Sequence, residues 1–119
     1  MSLAEAAARR FPQPVRVGDL LRRPVLQPLE SQPSLGRVRA VVRRADGTLQ
    51  VVIDYGGILG FFTRPIAVPV EGLALLGEYM VCVEFTPGQL DAFPDFVAGS
   101  AAALPPAEVI RVALVKPSH

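Results

Sequence analysis

A chain of 119 residues with one cysteine, one histidine and a net charge of +1 has the length of one ordinary domain, and little with which to build metal or histidine-dependent chemistry. Half of its residues are hydrophobic and its mean hydropathy is +0.37, which excludes a wholly disordered chain. No apolar run approaches the ~18–20 residues that a membrane-spanning helix needs, and the opening residues lack the apolar stretch of a signal peptide.

The compartment stays open on these grounds: cytoplasmic, or periplasmic if a leader was removed. The charge is unevenly spread. Residues 1–44 carry nine arginines against Glu5, Asp19 and Glu30, a net +6, and residues 45–119 carry three bases against eight acids, a net −5. Eleven of the twelve basic residues are arginine in an Ala- and Pro-rich chain, a usage that reads as genomic composition of a bacterial kind. The near-neutral total argues against nucleic-acid binding, which favours a strongly basic domain with aromatic stacking platforms.

In chain order, residues 2–11 predict a short helix of good helix formers ended by Pro12, so residues 1–14 read as an N-terminal arm. Strand signals begin at Val15. Residues 37–44 and 49–55 flank Asp46-Gly47, a two-residue hairpin signal. That turn would oppose Val42 to Val51, Ala40 to Ile53 and Val38 to Tyr55 on an apolar face. The other face would carry Arg43 with Gln50, Val41 with Val52, and Arg39 with Asp54 as a cross-strand ion pair. Gly56, Gly57 and Gly60 lead from one β-run into another with no Gly-Lys-Ser/Thr following, so they turn a corner rather than cradle a phosphate.

Residues 64–70 alternate Ile66, Val68 and Val70 with Pro65, Ala67 and Pro69, which confines that strand to an edge, a bulge or a barrel corner. Residues 78–85 alternate as a half-buried strand in which Cys82 is an inert packed thiol. Thr86, Pro87 and Gln89 then form a capping box, with Leu90 and Phe93 on one face of a short helix that Pro94 stops. Residues 97–107 read as a linker and 108–115 as one last strand, for this sheet or for another chain's edge. The sum is an all-β fold: a small, mostly antiparallel β-barrel of five or six strands with one short capping helix.

The order of these pieces resembles the PRC-barrel family, the β-barrel domain shared by the photosynthetic reaction centre H subunit and the ribosome maturation factor RimM. The resemblance rests on Gly36 before the first hairpin strand, the Asp46-Gly47 turn, the corner from Gly57 to Gly60, the strand Ile66 to Pro69, and Gln89-Leu90 with Pro94. It spans residues 15–96, leaving residues 1–14 and 97–119 outside. It implies a self-associating barrel that serves as a docking surface, with no catalytic residue, cofactor or metal to carry over. The helix and large body of an H subunit and the RNA-associated domain of RimM have no counterpart in these 119 residues, so the expectation is a stand-alone PRC barrel.

The expected function is a non-catalytic interaction module, most simply a homodimer, with the protein partner unspecified. Its candidate surface joins the arginine face of the first hairpin strand, Arg37, Arg39, Val41 and Arg43, to the apolar tip Ile58, Leu59, Phe61 and Phe62. A ribosome- or RNA-linked accessory role is the alternative that the arginine ladder suggests, and a membrane or photosynthetic assembly factor is the one that the H-subunit likeness suggests. Asp91 and Asp95 share a helical face, but without a base or nucleophile nearby they read as a solvated helix end rather than an active site.

Overall fold

The computed structural model describes residues 10–27, 34–57 and 61–115. Nine strands among these residues form one mixed sheet: β1 (Arg10–Arg16), β2 (Pro24–Leu26), β3 (Gly36–Arg43), β4 (Leu49–Tyr55), β5 (Arg64–Pro69), β6 (Leu73–Leu76), β7 (Tyr79–Cys82), β8 (Ala102–Ala103) and β9 (Val109–Val115). The order across the sheet is β1-β9-β6-β7-β2-β3-β4-β5, with β8 paired to β3 off this path. One short helix, α1 (Pro87–Asp91), follows β7. The all-β class with a short helix is therefore the observed one. Most pairings are antiparallel, but β2 with β7 and β6 with β9 are parallel. β1 and β5 stand at the two ends of the order, and no ladder joins them among the described residues.

The sheet begins earlier than the sequence implied, and its last strand falls where expected. Arg10, Phe11 and Pro12 belong to β1 rather than to a helix, and the rest of the expected helix lies outside the described residues. β1 pairs along its whole length with β9, from Arg10 opposite Val115 to Arg16 opposite Val109. β9 also pairs with β6, so residues 109–115 complete this chain's own sheet. The stretch that reads as a linker contributes β8 and donates the Leu104 N–H to the Val41 carbonyl at 2.8 Å.

The hairpin forms in a different register from the one expected. The Arg44 N–H donates to the Thr48 carbonyl, and the Gly47 N–H to the Arg44 carbonyl, both at 2.9 Å. This closes a three-residue loop, Ala45 to Gly47, in which only Gly47 takes a positive φ, +90°. A two-residue turn of the predicted type needs two such residues, and Asp46 is not one of them. Val42 thus faces Gln50, and Val41 faces Val51. A bulge follows between Val38 and Ala40, so that Val38 faces Ile53 and Arg37 faces Asp54. Arg39 and Ala40 together oppose Val52, and side-chain parity flips across them. Val38 and Val41 both enter the core, at 2% and 1% exposure.

One apolar cluster holds the fold together. It takes Val17, Leu20 and Val25 from the first turn and β2, Val51 and Ile53 from β4, and Ile66 and Val68 from β5, all essentially inaccessible to solvent. Leu73, Met80, Cys82, Leu90, Ile110 and Val112 close it from β6, β7, α1 and β9. No polar or charged residue is buried among the described residues. β7 is not half-buried as its alternation implied: Met80 and Cys82 sit in this cluster, and Val81 packs with Ala74 in a second one on the other face. Burial pushes the Cys82 thiol above its ordinary pKa, the behaviour of an unreactive packed thiol. β5, with its two prolines, does lie at an edge, paired with β4 alone.

The register has a direct energetic consequence. Val41→Ala should cost about 2 kcal/mol by opening a void in a closed core, whereas Arg43→Ala should cost at most about 1 kcal/mol. Urea unfolding of both variants checks this, and equal small losses would restore the two-residue register with Val41 outside.

Candidate interaction surface

The helix α1 is fixed at both ends. At its start, the Gln89 N–H donates to Thr86 Oγ1 at 3.2 Å, and the Thr86 N–H donates to Gln89 Oε1 at 2.8 Å, the reciprocal capping box legible in the sequence. At its end, Arg64 of β5 reaches across. Its Nη1 donates to the Phe93 carbonyl at 2.6 Å and to Asp95 Oδ1 at 2.9 Å, and its Nη2 to the carbonyls of Asp91 and Leu90 at 2.8 and 3.2 Å. A guanidinium suits this place because the last carbonyls of a helix lack internal partners and carry partial negative charge. The same guanidinium lies 5.7 Å from the ring centre of Tyr55.

Tyr55 adds a second tie. Its hydroxyl donates to Asp91 Oδ1 at 2.5 Å and lies 3.2 Å from the Pro87 carbonyl. Burial, then the bond to Asp91, raises its pKa to about 12. Asp91 and Asp95 are therefore partners of Tyr55 and Arg64, and Asp95 lies beyond the helix end rather than on a shared helical face. Sequence reasoning did not single out Tyr55 or Arg64. The available signal was weak: an arginine opening an edge strand and a tyrosine closing its neighbour.

The predicted surface residues separate into groups. Arg39 forms the expected ion pair with Asp54, Nε to Oδ1 at 3.1 Å, although the bulge makes Arg37 the direct neighbour of Asp54. With Arg39 57% exposed, the pair is worth at most about 1 kcal/mol. Arg37 donates to the Arg22 carbonyl at 3.1 Å. Arg43 pairs with Glu108 at 2.6 Å, and beyond the bulge it shares the parity of Val41 rather than that of Arg37 and Arg39. The arginine ladder at alternate positions is therefore broken, each member engaged with a different part of the chain. Val41 leaves the candidate surface altogether, because the bulge turns it into the core.

At the tip, Ile58, Leu59 and Gly60 lie outside the described residues. Gly56 and Gly57 leave β4 at φ +75° and +76°, and a Cβ on Gly57 would run into the Phe61 carbonyl oxygen, so the corner accepts only glycine there. Beyond it Phe61 is 68% and Phe62 93% exposed, and Phe62 is held at φ +62°. No group of three or more His, Cys, Asp or Glu side chains among the described residues could hold a metal ion. No helix among them is long and apolar enough to cross a membrane.

Two variants probe the ties on α1. Arg64→Ala should destabilise the fold by about 2 kcal/mol through loss of charge-assisted bonds; Arg64→Lys should recover only part of it, because an ammonium cannot reproduce the fork. Thermal melts of the three proteins check the order. The raised Tyr55 pKa means the folded state prefers the neutral phenol. Its contribution is full below about pH 10 and is lost as pH rises from there towards about 12. The stability gap between the parent and Tyr55→Phe should then be flat from pH 7 to 9 and shrink above pH 10, as read by urea titration at each pH.

In the comparisons with known proteins, no family model, no curated protein and no solved structure matches this chain.

Proposed function

We propose that this chain is a domain of the PRC-barrel type that works without catalysis, by associating with a second copy of itself through the tip between β4 and β5. One observation carries the reading: two adjacent phenylalanines stand in solvent, and the more exposed one occupies a backbone region that bulky residues avoid. Such a conformation costs on the order of 1–3 kcal/mol and persists where the surroundings or a function require it. Exposed aromatic rings gain most when two like patches close on each other, and a two-fold axis through the tip brings Phe61 and Phe62 against their own copies. The all-β scaffold supports this by holding the corner between two paired strands, and the order of Gly36, Asp46-Gly47, Gly57 and Ile66 to Pro69 supports the family.

The RNA-linked alternative loses its main support once Arg37, Arg39 and Arg43 are each engaged within the chain. A membrane or photosynthetic assembly role rests on the family likeness alone.

Phe61→Ser with Phe62→Ser should convert a dimer into a monomer in sedimentation velocity while leaving the melting temperature within a few degrees. An unchanged sedimentation coefficient, or a parent protein that is monomeric at high micromolar concentration, would overturn the tip as the self-association surface.

A further inference from the structure

The segment after α1 is tied to the free edge of β5, where the Phe96 N–H donates to the Pro65 carbonyl at 2.7 Å. Because Val51, Ile66 and Val68 point into the core, Gln50, Ala67 and Pro69 point outward, towards this segment. Between the two lies a groove of about 840 Å3, walled by Ala67, Pro69, Phe85, Phe93, Phe96 and Val97. Phe85 and Phe93 meet edge to face at its end, with ring centres 5.1 Å apart. A groove of this size falls in the range of small-molecule sites, roughly 300–1,000 Å3.

Its charge is specific. Arg44 is the only cation in the lining, placed on the outer face by the parity flip at the Arg39–Ala40 bulge. Its Nε donates to Gln50 Oε1 at 2.6 Å, which fixes the plane of the guanidinium, and no described acid forms an ion pair with it. Asp95, which also lines the groove, pairs with Arg64 at 2.9 Å. Asp46 accepts from the Thr48 N–H and hydroxyl at 3.0 and 2.7 Å, bonds that with the nearby charge of Arg44 hold its pKa below the ordinary value, and it forms no ion pair with Arg44. Arg44, a half-buried residue held through its Nε, leaves its two terminal nitrogens as a fork, the geometry that matches a carboxylate. One cation without a second calls for a monoanion, and the aromatic walls call for an apolar body.

We propose that this groove binds an amphiphilic monocarboxylate, with its carboxylate on Arg44 and its acyl or aryl body along Phe93, Phe96 and the outer face of β5. The site is separate from the Phe61–Phe62 tip and does not depend on the self-association reading.

The test is an NMR titration of the 15N-labelled full chain with decanoate and, as the uncharged match, decanol, each below its aggregation limit. Decanoate should give saturable shifts at Gln50, Ala67, Phe93 and Phe96, and decanol should bind about tenfold more weakly. Arg44→Gln should weaken decanoate about tenfold and leave decanol unchanged. Ala67→Phe, which fills the groove from the outer face of β5, should remove both sets of shifts. Absence of saturable shifts at these residues, equal affinity for the two ligands, indifference to Arg44→Gln in a protein whose remaining spectrum is unchanged, or retained binding in Ala67→Phe would each overturn the proposal.

Discussion

The Arg64 fork is the interaction on which the arrangement around α1 depends. A helix of five residues has no stability of its own, since nearly all of its backbone groups are terminal. Arg64 supplies the missing donors at its end, the Thr86 box supplies the missing acceptor and donor at its start, and Leu90 anchors its middle in the core. The helix, so fixed, places Tyr55 against Asp91 and leads the following segment to the free edge of β5. That tie covers the sheet edge and walls the apolar groove. Arg64 also sits three residues after Phe61, so the strand that carries the exposed tip is tied down immediately beyond it.

The bulge at Arg39 and Ala40 is the second organising constraint. A single extra residue moves Val41 inward, where it meets Val51, and moves Arg44 outward, where it meets Gln50. It also divides the arginines of β3 between separate partners. A surface that looks like a continuous cationic stripe in the sequence thereby becomes three internal ties, Arg37 to Arg22, Arg39 to Asp54 and Arg43 to Glu108. Exposed charge and exposed apolar surface consequently part company: the arginines serve the fold, while Phe61 and Phe62 are left in solvent.

Local features were legible where the governing contacts span only a few residues. The capping box of Thr86 and Gln89, the glycine corner at Gly57 and the edge position of the proline-bearing β5 all follow from backbone chemistry at neighbouring positions. The Arg39–Asp54 pair was legible too, because long side chains on one face tolerate a shift of one position. The hairpin register was not. The choice between a two- and a three-residue loop turns on whether Asp46 takes a positive φ, and Asp46 instead accepts bonds from Thr48 in the tighter local turn. β6 and β2 escaped notice because Leu73–Leu76 and Pro24–Leu26 are too short to show a period. The alternation of β7 misled for the opposite reason: a strand flanked on both sides by β6 and β2 buries Val81 as well as Met80 and Cys82, and leaves only Tyr79 exposed.

The sequence by itself determined the all-β class, the turns, the helix cap and the apolar residues available for a core, because each is set by short-range sterics and hydrogen bonding. Only the tertiary structure decided that β1 pairs with β9, that residues 102–104 lie on β3, and that Arg64 closes α1. Those contacts join positions tens of residues apart, and no local preference distinguishes them from their alternatives until the common core assembles. The candidate surfaces divide in the same way. The Phe61–Phe62 tip is written in consecutive letters, whereas the Arg44 groove exists only because a bulge in β3, an edge in β5 and a segment some fifty residues beyond Arg44 come to lie together.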